Sequence, residues 1–138
     1  MITASASSAK PLVRILLLED NDTSRQLMSE YLEYHGYNVL SLARGALFAS
    51  AIMAFHPHIV LLDLKLPDMD GYSLLQQIQQ HSEWSKIPVI VVSAFAFQAD
   101  RQRATSLGAC RYLVKPVNLT HLRQAISEEL DYAGLAWR

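Results

Sequence analysis

Cysteine is nearly absent: Cys110 stands alone, so no disulfide can close within the chain, and that usage fits a reducing cytoplasm. Long apolar runs are missing as well. None approaches the roughly 20 residues a membrane-spanning helix needs, and the first residues lack the apolar core of a secretory signal. Neither charge sign is in surplus, with 12 Lys and Arg against 13 Asp and Glu and a formal net charge of −1. The basic residues are scattered, which leaves no electrostatic footprint for nucleic acid; a role on DNA would need a part outside this sequence. Repeats, low-complexity linkers and signs of a second domain are also lacking. The five histidines show no metal-ligand spacing, and His56 and His58, on either side of Pro57, read as structural. What is left is 138 residues, 51% of them hydrophobic, enough for one domain with a well-filled core.

The stretch that organises the rest is His58 to Gly71, HIVLLDLKLPDMDG. Ile59 to Leu62 is an unbroken apolar run with no polar residue alternating through it. That is the pattern of a strand buried on both faces of a parallel sheet. It ends on Asp63 and breaks into Pro67, Asp70 and Gly71, which are turn residues. Similar runs at Val13–Leu18 and Val89–Ser93 end on Glu19-Asp20 and on a hydroxyl. Shorter strands are predicted at Tyr37–Leu42 and Tyr112–Val114, the latter leading into Lys115-Pro116. Helical spacing predicts helices over Thr23–His35, closed by Gly36, and over Gly45–Phe55, with Leu47, Ala51 and Ala54 on one side. Two more are predicted over Tyr72–His81 and Ala99–Leu107, the second with little apolar face, and Asn118 caps a last helix through Asp131. Five strands alternating with helices indicate an α/β fold, a flavodoxin-like (βα)5 doubly wound parallel sheet with strand order 2-1-3-4-5. Residues 1–11 read as a disordered leader, 12–131 as the folded domain and 132–138 as a short tail.

In such a sheet, ligands bind beyond the carboxyl ends of the strands. This order delivers Glu19, Asp20, Asp63, Ser93 and Lys115 to that one rim. Each alone has a plain reading as a cap, a turn residue or a solvated lysine. Together they place three carboxylates, a hydroxyl and an ammonium in one crevice. Three clustered carboxylates repel one another, and a hard divalent cation relieves that; Mg²⁺ prefers oxygen ligands. With the metal and Lys115 holding phosphoryl oxygens and Ser93 binding another, Asp63 can act as a nucleophile and form an acyl phosphate.

These motifs, LLLEDN, LLDLKLPDMDG, VVSA and YLVKP, make the chain resemble a response-regulator receiver domain of two-component signalling, from about Leu12 to Leu130. The resemblance implies that Glu19, Asp20 and Asp63, with the backbone carbonyl of Lys65, hold Mg²⁺. It implies that Asp63 takes a phosphoryl group from a phosphohistidine on a sensor histidine kinase or a histidine phosphotransfer protein. Ser93 and Lys115 would contact that group, and Tyr112 would be the aromatic switch that turns inward as Ser93 moves toward the phosphate. The Lys115-Pro116 bond is expected to be cis. Such a protein is not an enzyme with a released product. It signals by changing its binding to a downstream protein target, with no direct contact to nucleic acid or membrane. The start Met, the leader and the short tail favour a stand-alone regulator; a receiver from a hybrid kinase or larger regulator is the alternative.

Glu19 stands where the family often has Asp, a common variant. Lys65 and Phe95 flank the path of an attacking water; they read equally as plain rim residues and as groups whose charge and bulk slow hydrolysis of the acyl phosphate. Phe95 and Phe97 suggest a partner surface, with burial against the fourth helix as the other reading. Arg111 and Val117 replace the residues that the family's dimerising DNA-binding branch tends to carry, which argues against that homodimer. Cys110 reads as a small buried residue at a strand start, and Trp84 and Trp137 have no functional reading. An aspartate-nucleophile phosphatase would carry a second Asp where Lys65 stands. A flavin module would need Ser, Thr and Gly amides where the first loop has acids. A receiver used purely as a scaffold would have no need of the acid pair, acceptor, hydroxyl and lysine.

Overall fold

The computed structural model describes residues 12–133; the expected leader and the tail beyond Ala133, including Trp137, lie outside the described residues. Five strands carry the fold: β1 (Arg14–Leu18), β2 (Asn38–Leu42), β3 (Ile59–Leu62), β4 (Val89–Ser93) and β5 (Arg111–Val114). Five helices alternate with them: α1 (Asp22–Tyr34), α2 (Phe48–Phe55), α3 (Gly71–Gln80), α4 (Gln98–Ser106) and α5 (Leu119–Tyr132). Short 3₁₀ turns at Gly45–Leu47 and Trp84–Lys86 lead into α2 and β4. All strand pairs are parallel, in the expected order β2-β1-β3-β4-β5.

The unbroken apolar runs are explained by cover on both faces. Leu16, Leu18, Val60, Leu62, Val89 and Val91 meet Phe48, Ile52, Leu74, Leu75 and Ile78 of α2 and α3. Ile15, Leu17, Ile59, Leu61, Ile90 and Val92 point the other way, onto Met28 and Leu32 of α1 and Leu122, Ile126 and Leu130 of α5. Every residue of β3 is fully buried, so each Leu or Ile contributes about 1.5–3 kcal/mol of transfer free energy. Asn21, Asp70 and Asn118 cap α1, α3 and α5 by accepting from the amides of Ser24, Tyr72 and His121. After α1 and α4 the chain turns through Gly36 (φ +94°) and Gly108 (φ +105°), a region where only glycine is unstrained.

The structure corrects the reading of Cys110 and adds to those of α2 and α4. Helix α2 buries Phe48 and Ile52, with Ala51 and Phe55 at the margin, while Leu47 and Ala54 face outward. The segment is apolar on all sides, so periodicity alone did not determine which side meets the sheet. Cys110 is exposed, because β5 begins one residue later; its Sγ still reaches the Val89 carbonyl at 3.2 Å. Helix α4 buries only Ala104, and the charged residues that left it without an apolar face are what attach it. The Tyr72 hydroxyl lies 3.3 Å from both the backbone carbonyl and the carboxylate of Asp100, and the Arg103 guanidinium sits 4.0 Å above the Tyr72 ring. Burial, reinforced by Asp100, pushes the Tyr72 phenol up to about 12, so it stays a hydrogen-bond donor. Trp84 has a structural role, stacked on His81 at 3.9 Å and edge-on to Phe48.

Candidate functional site

Parallel register sets the site. Leu18 is level with Leu42 on one side and Leu62 on the other. The ladder then continues one residue past the strands: Glu19 N–H donates to the Leu42 carbonyl and Asp63 N–H to the Leu18 carbonyl, both at 3.0 Å. Lys115 N–H donates to the Ser93 carbonyl at 2.8 Å. Glu19, Asp63, Ser93 and Lys115 therefore emerge side by side at the carboxyl edge, as predicted.

Lys115 is the hub. Its Nζ lies 2.9 Å from Asp63 Oδ2 and 2.5 Å from Glu19 Oε1, while Asp63 and Glu19 are 5% and 1% exposed. Asp63 Oδ1 accepts from the Lys65 amide at 3.1 Å, and Glu19 Oε2 from the Asn21 amide at 3.1 Å. Glu19 Oε1 is buried and ion-paired with the Lys115 ammonium. Burial raises the Glu19 carboxyl above its ordinary range, and the neighbouring Asp63 adds to the rise against the pull of Lys115. For Lys115 burial is the largest single influence and acts downward, but Glu19 and Asp63 together outweigh it and hold the ammonium above its usual value.

Asp20 is exposed at the mouth, and one carboxylate oxygen from each of Glu19, Asp20 and Asp63 lies within 4.8 Å of the others. One positive charge thus faces three potential negative ones. An all-oxygen donor set and an excess of negative charge fit a hard cation such as Mg²⁺. Lys65, exposed, stands two residues past Asp63 on the same loop.

Ser93 is fully buried, and its Oγ accepts from the Phe95 amide at 3.1 Å. Tyr112 is turned inward, 8% exposed, with its hydroxyl donating to the Phe95 carbonyl at 2.7 Å. Burial raises the phenol's pKa, and a hydrogen bond with Ser93 works against that rise. Phe95 links the two residues, its amide donating to the Ser93 hydroxyl and its carbonyl accepting from Tyr112. Phe95 is half-buried against the core, whereas Phe97 is 79% exposed, so only the second leaves a free aromatic surface. The Lys115-Pro116 bond is cis, as expected.

Two positioning residues were not picked out from the sequence. Arg25 Nη1 donates to the Glu19 carbonyl at 2.9 Å and Nη2 reaches Asp22 Oδ1 at 2.6 Å, bracing the loop that carries the acid pair. Asp68 receives the Gly45 and Ala46 amides at 2.9 and 2.8 Å, tying the loop after Asp63 to the entry of α2. The Gly45 amide, then that of Ala46, holds the Asp68 carboxyl below the usual carboxylate range. In the same loop a Cβ at Gly71 would fall 2.4 Å from Leu64 Cα, so the close return of the chain requires glycine.

Comparison with known proteins agrees with this geometry. The model of the response regulator receiver domain matches residues 15–127. The chain is 39% identical over 119 residues to the transcriptional regulatory protein GltR of Pseudomonas aeruginosa, covering 86% of this chain and 49% of GltR. It therefore spans about half the length of that relative. It is 28% identical over 119 residues to the polar-differentiation response regulator DivK of Brucella ovis, covering 86% of this chain and 97% of DivK. Among solved structures it resembles the receiver domain of sensor histidine kinase PA1611 from Pseudomonas aeruginosa, which has a magnesium ion coordinated in its active-site cleft. That likeness has a TM-score of 0.80 and 28% identity, over 88% of this chain and 99% of the other.

Proposed function

The chain belongs to the response regulator receiver family, and from that premise we propose that it is a phospho-acceptor whose acceptor is Asp63. The observation that carries this reading is the buried bridge from Glu19 through Lys115 to Asp63, open to solvent on the side of Asp20. A sensor histidine kinase or histidine phosphotransfer protein supplies the phosphohistidine. One Asp63 oxygen attacks phosphorus; the O–P bond forms as the N–P bond breaks, and the imidazole leaves with the electron pair. The Lys65 amide orients the carboxylate for that attack. Lys115 exchanges its Asp63 contact for a phosphoryl oxygen, and the Ser93 hydroxyl donates to another. Mg²⁺, held by Glu19, Asp20, Asp63 and the Lys65 backbone carbonyl, would offset the charge on the transferring group.

The output follows from the Ser93–Tyr112 contact. Drawing Ser93 toward the phosphoryl group fixes where Tyr112 sits, and with it the exposed surface around Phe97. A downstream protein that distinguishes the two arrangements reads the signal. Lys65 and Phe95 shield the acyl phosphate from water and make autodephosphorylation slow. The near-complete span of DivK supports a stand-alone regulator, whereas the half span of GltR supports a receiver within a longer protein. We favour the stand-alone form, in a cytoplasmic setting; an immunoblot of the native protein at about 15.5 kDa supports it, and a band of twice that size refutes it.

The central test uses acetyl phosphate with Mg²⁺ and intact-mass detection. The wild type is expected to gain one phosphoryl group, and both Asp63→Asn and added chelator to abolish the gain. An adduct that survives Asp63→Asn would sink the assignment.

A further inference from the structure

Helix α2 has two apolar faces, and the sheet covers one of them. Phe48 and Ile52 are 1% and 2% exposed against the core. From Gly45 to Phe55 no residue carries a charge. On the outward side Ala46, Leu47, Ala49, Ser50, Met53 and Ala54 are all exposed, Leu47 by 53% and Met53 by 63%. A surface helix ordinarily presents polar and charged residues on that side. The polar side chain here, Ser50, donates its hydroxyl to the Leu47 carbonyl at 3.2 Å, so covering it strands no donor. At its C-terminal end the face runs into a hollow of about 430 Å³ whose lining includes Ile52, Ile87 and Trp84, with Met53 and Glu83 beside them.

We propose that this face binds a second copy of the chain, α2 against α2 in antiparallel orientation, about a twofold axis at Ser50. The spacing is self-complementary. Leu47 and Met53 lie three residues on either side of Ser50, so reversal sets each Leu47 on the other copy's Met53, at the mouth of the hollow. Ala46 and Ala54, four residues on either side, pair in the same way and keep the helix axes close. Charge at the ends favours this occupant too. Exposed Arg44 precedes the N-terminal end and exposed Glu83 lines the hollow at the C-terminal end. Antiparallel pairing brings Arg44 of each copy toward Glu83 of the other, twice over, in competition with the exposed 3.9 Å pair that Glu83 makes with Lys86 and with the pull of Asp68 on Arg44. A partner with a charge at the centre of its own surface would bury that charge unpaired, whereas a second α2 brings none. The N-terminal end of the face adjoins the rim, where Arg44 and Ala46 share a hollow with Asp20 and Asp68, but the inference does not depend on Asp63 chemistry.

The experiment is sedimentation velocity on the full chain from low micromolar to submillimolar concentration, without phosphodonor. A concentration-dependent dimer is expected, weakened about tenfold or more by Met53→Glu. Phe97→Glu, which alters a still more exposed apolar residue on the α4 side, is expected to leave it unchanged. Arg44→Glu should weaken the dimer and Glu83→Arg in the same chain restore it. With Cys110→Ser as background, Ser50→Cys should form an intermolecular disulfide under mild oxidation and Ala99→Cys should not. Circular dichroism melts establish that each variant is folded. A monomer at every concentration overturns the proposal. So does a dimer lost with Phe97→Glu and kept with Met53→Glu, or a dimer in which Ser50→Cys fails to cross-link.

Discussion

Replacing Lys115 by Gln tests whether the rim is an electrostatic balance awaiting a cation. The substitution removes the one positive charge between Glu19 and Asp63, which are nearly inaccessible to water. Breaking a buried ion pair costs about 3–5 kcal/mol. The Lys115 side chain is 22% exposed, so solvent screening trims that figure. Protonation of Glu19 limits it further, because its carboxyl is already raised and a neutral form costs only ~1.4 kcal/mol per unit that pH exceeds its pKa. A loss of about 2 kcal/mol at pH 7 is expected, seen in urea as a midpoint lower by roughly 1 M. Mg²⁺ should act in the opposite sense. Without the ammonium nearby, the divalent ion meets less repulsion, and every tenfold gain in affinity adds ~1.4 kcal/mol to the stabilisation at fixed Mg²⁺. Urea titrations of both proteins with and without Mg²⁺ check this. If Lys115→Gln is as stable as wild type in the absence of Mg²⁺, or gains no more from Mg²⁺ than wild type does, the reading of the rim as an unbalanced acid cluster is wrong.

Asp68→Ala frees the loop after Asp63 from the Gly45 and Ala46 amides, so Mg²⁺ affinity should fall in calorimetry while the fold by circular dichroism persists. His58 accepts from the Arg14 amide through Nδ1, and burial, with Arg14 nearby, lowers its pKa from 6.5. The unfolded chain then takes up a proton first as pH falls through 6.5, so the His58 contribution is complete above that pH and declines below it. His58→Gln should flatten that part of the stability–pH curve, and an unchanged slope in denaturant melts would count against this. Small residues at both Lys65 and Phe95 should shorten the phosphoryl lifetime followed by intact mass; an unaltered lifetime removes them from the water path.

How much of this was legible beforehand depended on whether a residue's partner is local in sequence. The run Ile59–Leu62 could only be a doubly covered strand, and its last residue had to carry Asp63 to the rim. The acid pair, hydroxyl and lysine each follow a strand directly, so parallel register alone brought them together. Asp68 escaped notice because its partners are backbone amides up to 23 residues away, and the grip of Arg25 on the Glu19 carbonyl because a backbone group leaves no trace in residue type. The attachment of α4 was hidden for a related reason: rings and guanidinium groups hold it, and hydrophobic periodicity does not register them. For α2 the difficulty was excess. A segment apolar on every side gives no period to read.

The extra rungs beyond β1 and β3 have a mechanical consequence. Glu19 and Asp63 hang from the stiffest part of the molecule, where neighbouring strands grip their amides and both faces are filled. A load applied at Asp63 cannot be absorbed by bending that platform. On the other side, Ser93 is linked through Phe95 to Tyr112, beside a helix with a single buried residue. The two ends thus differ in how they are held: β3 by burial along its whole length, α4 by Ala104 and the contacts of Asp100 and Arg103 with Tyr72.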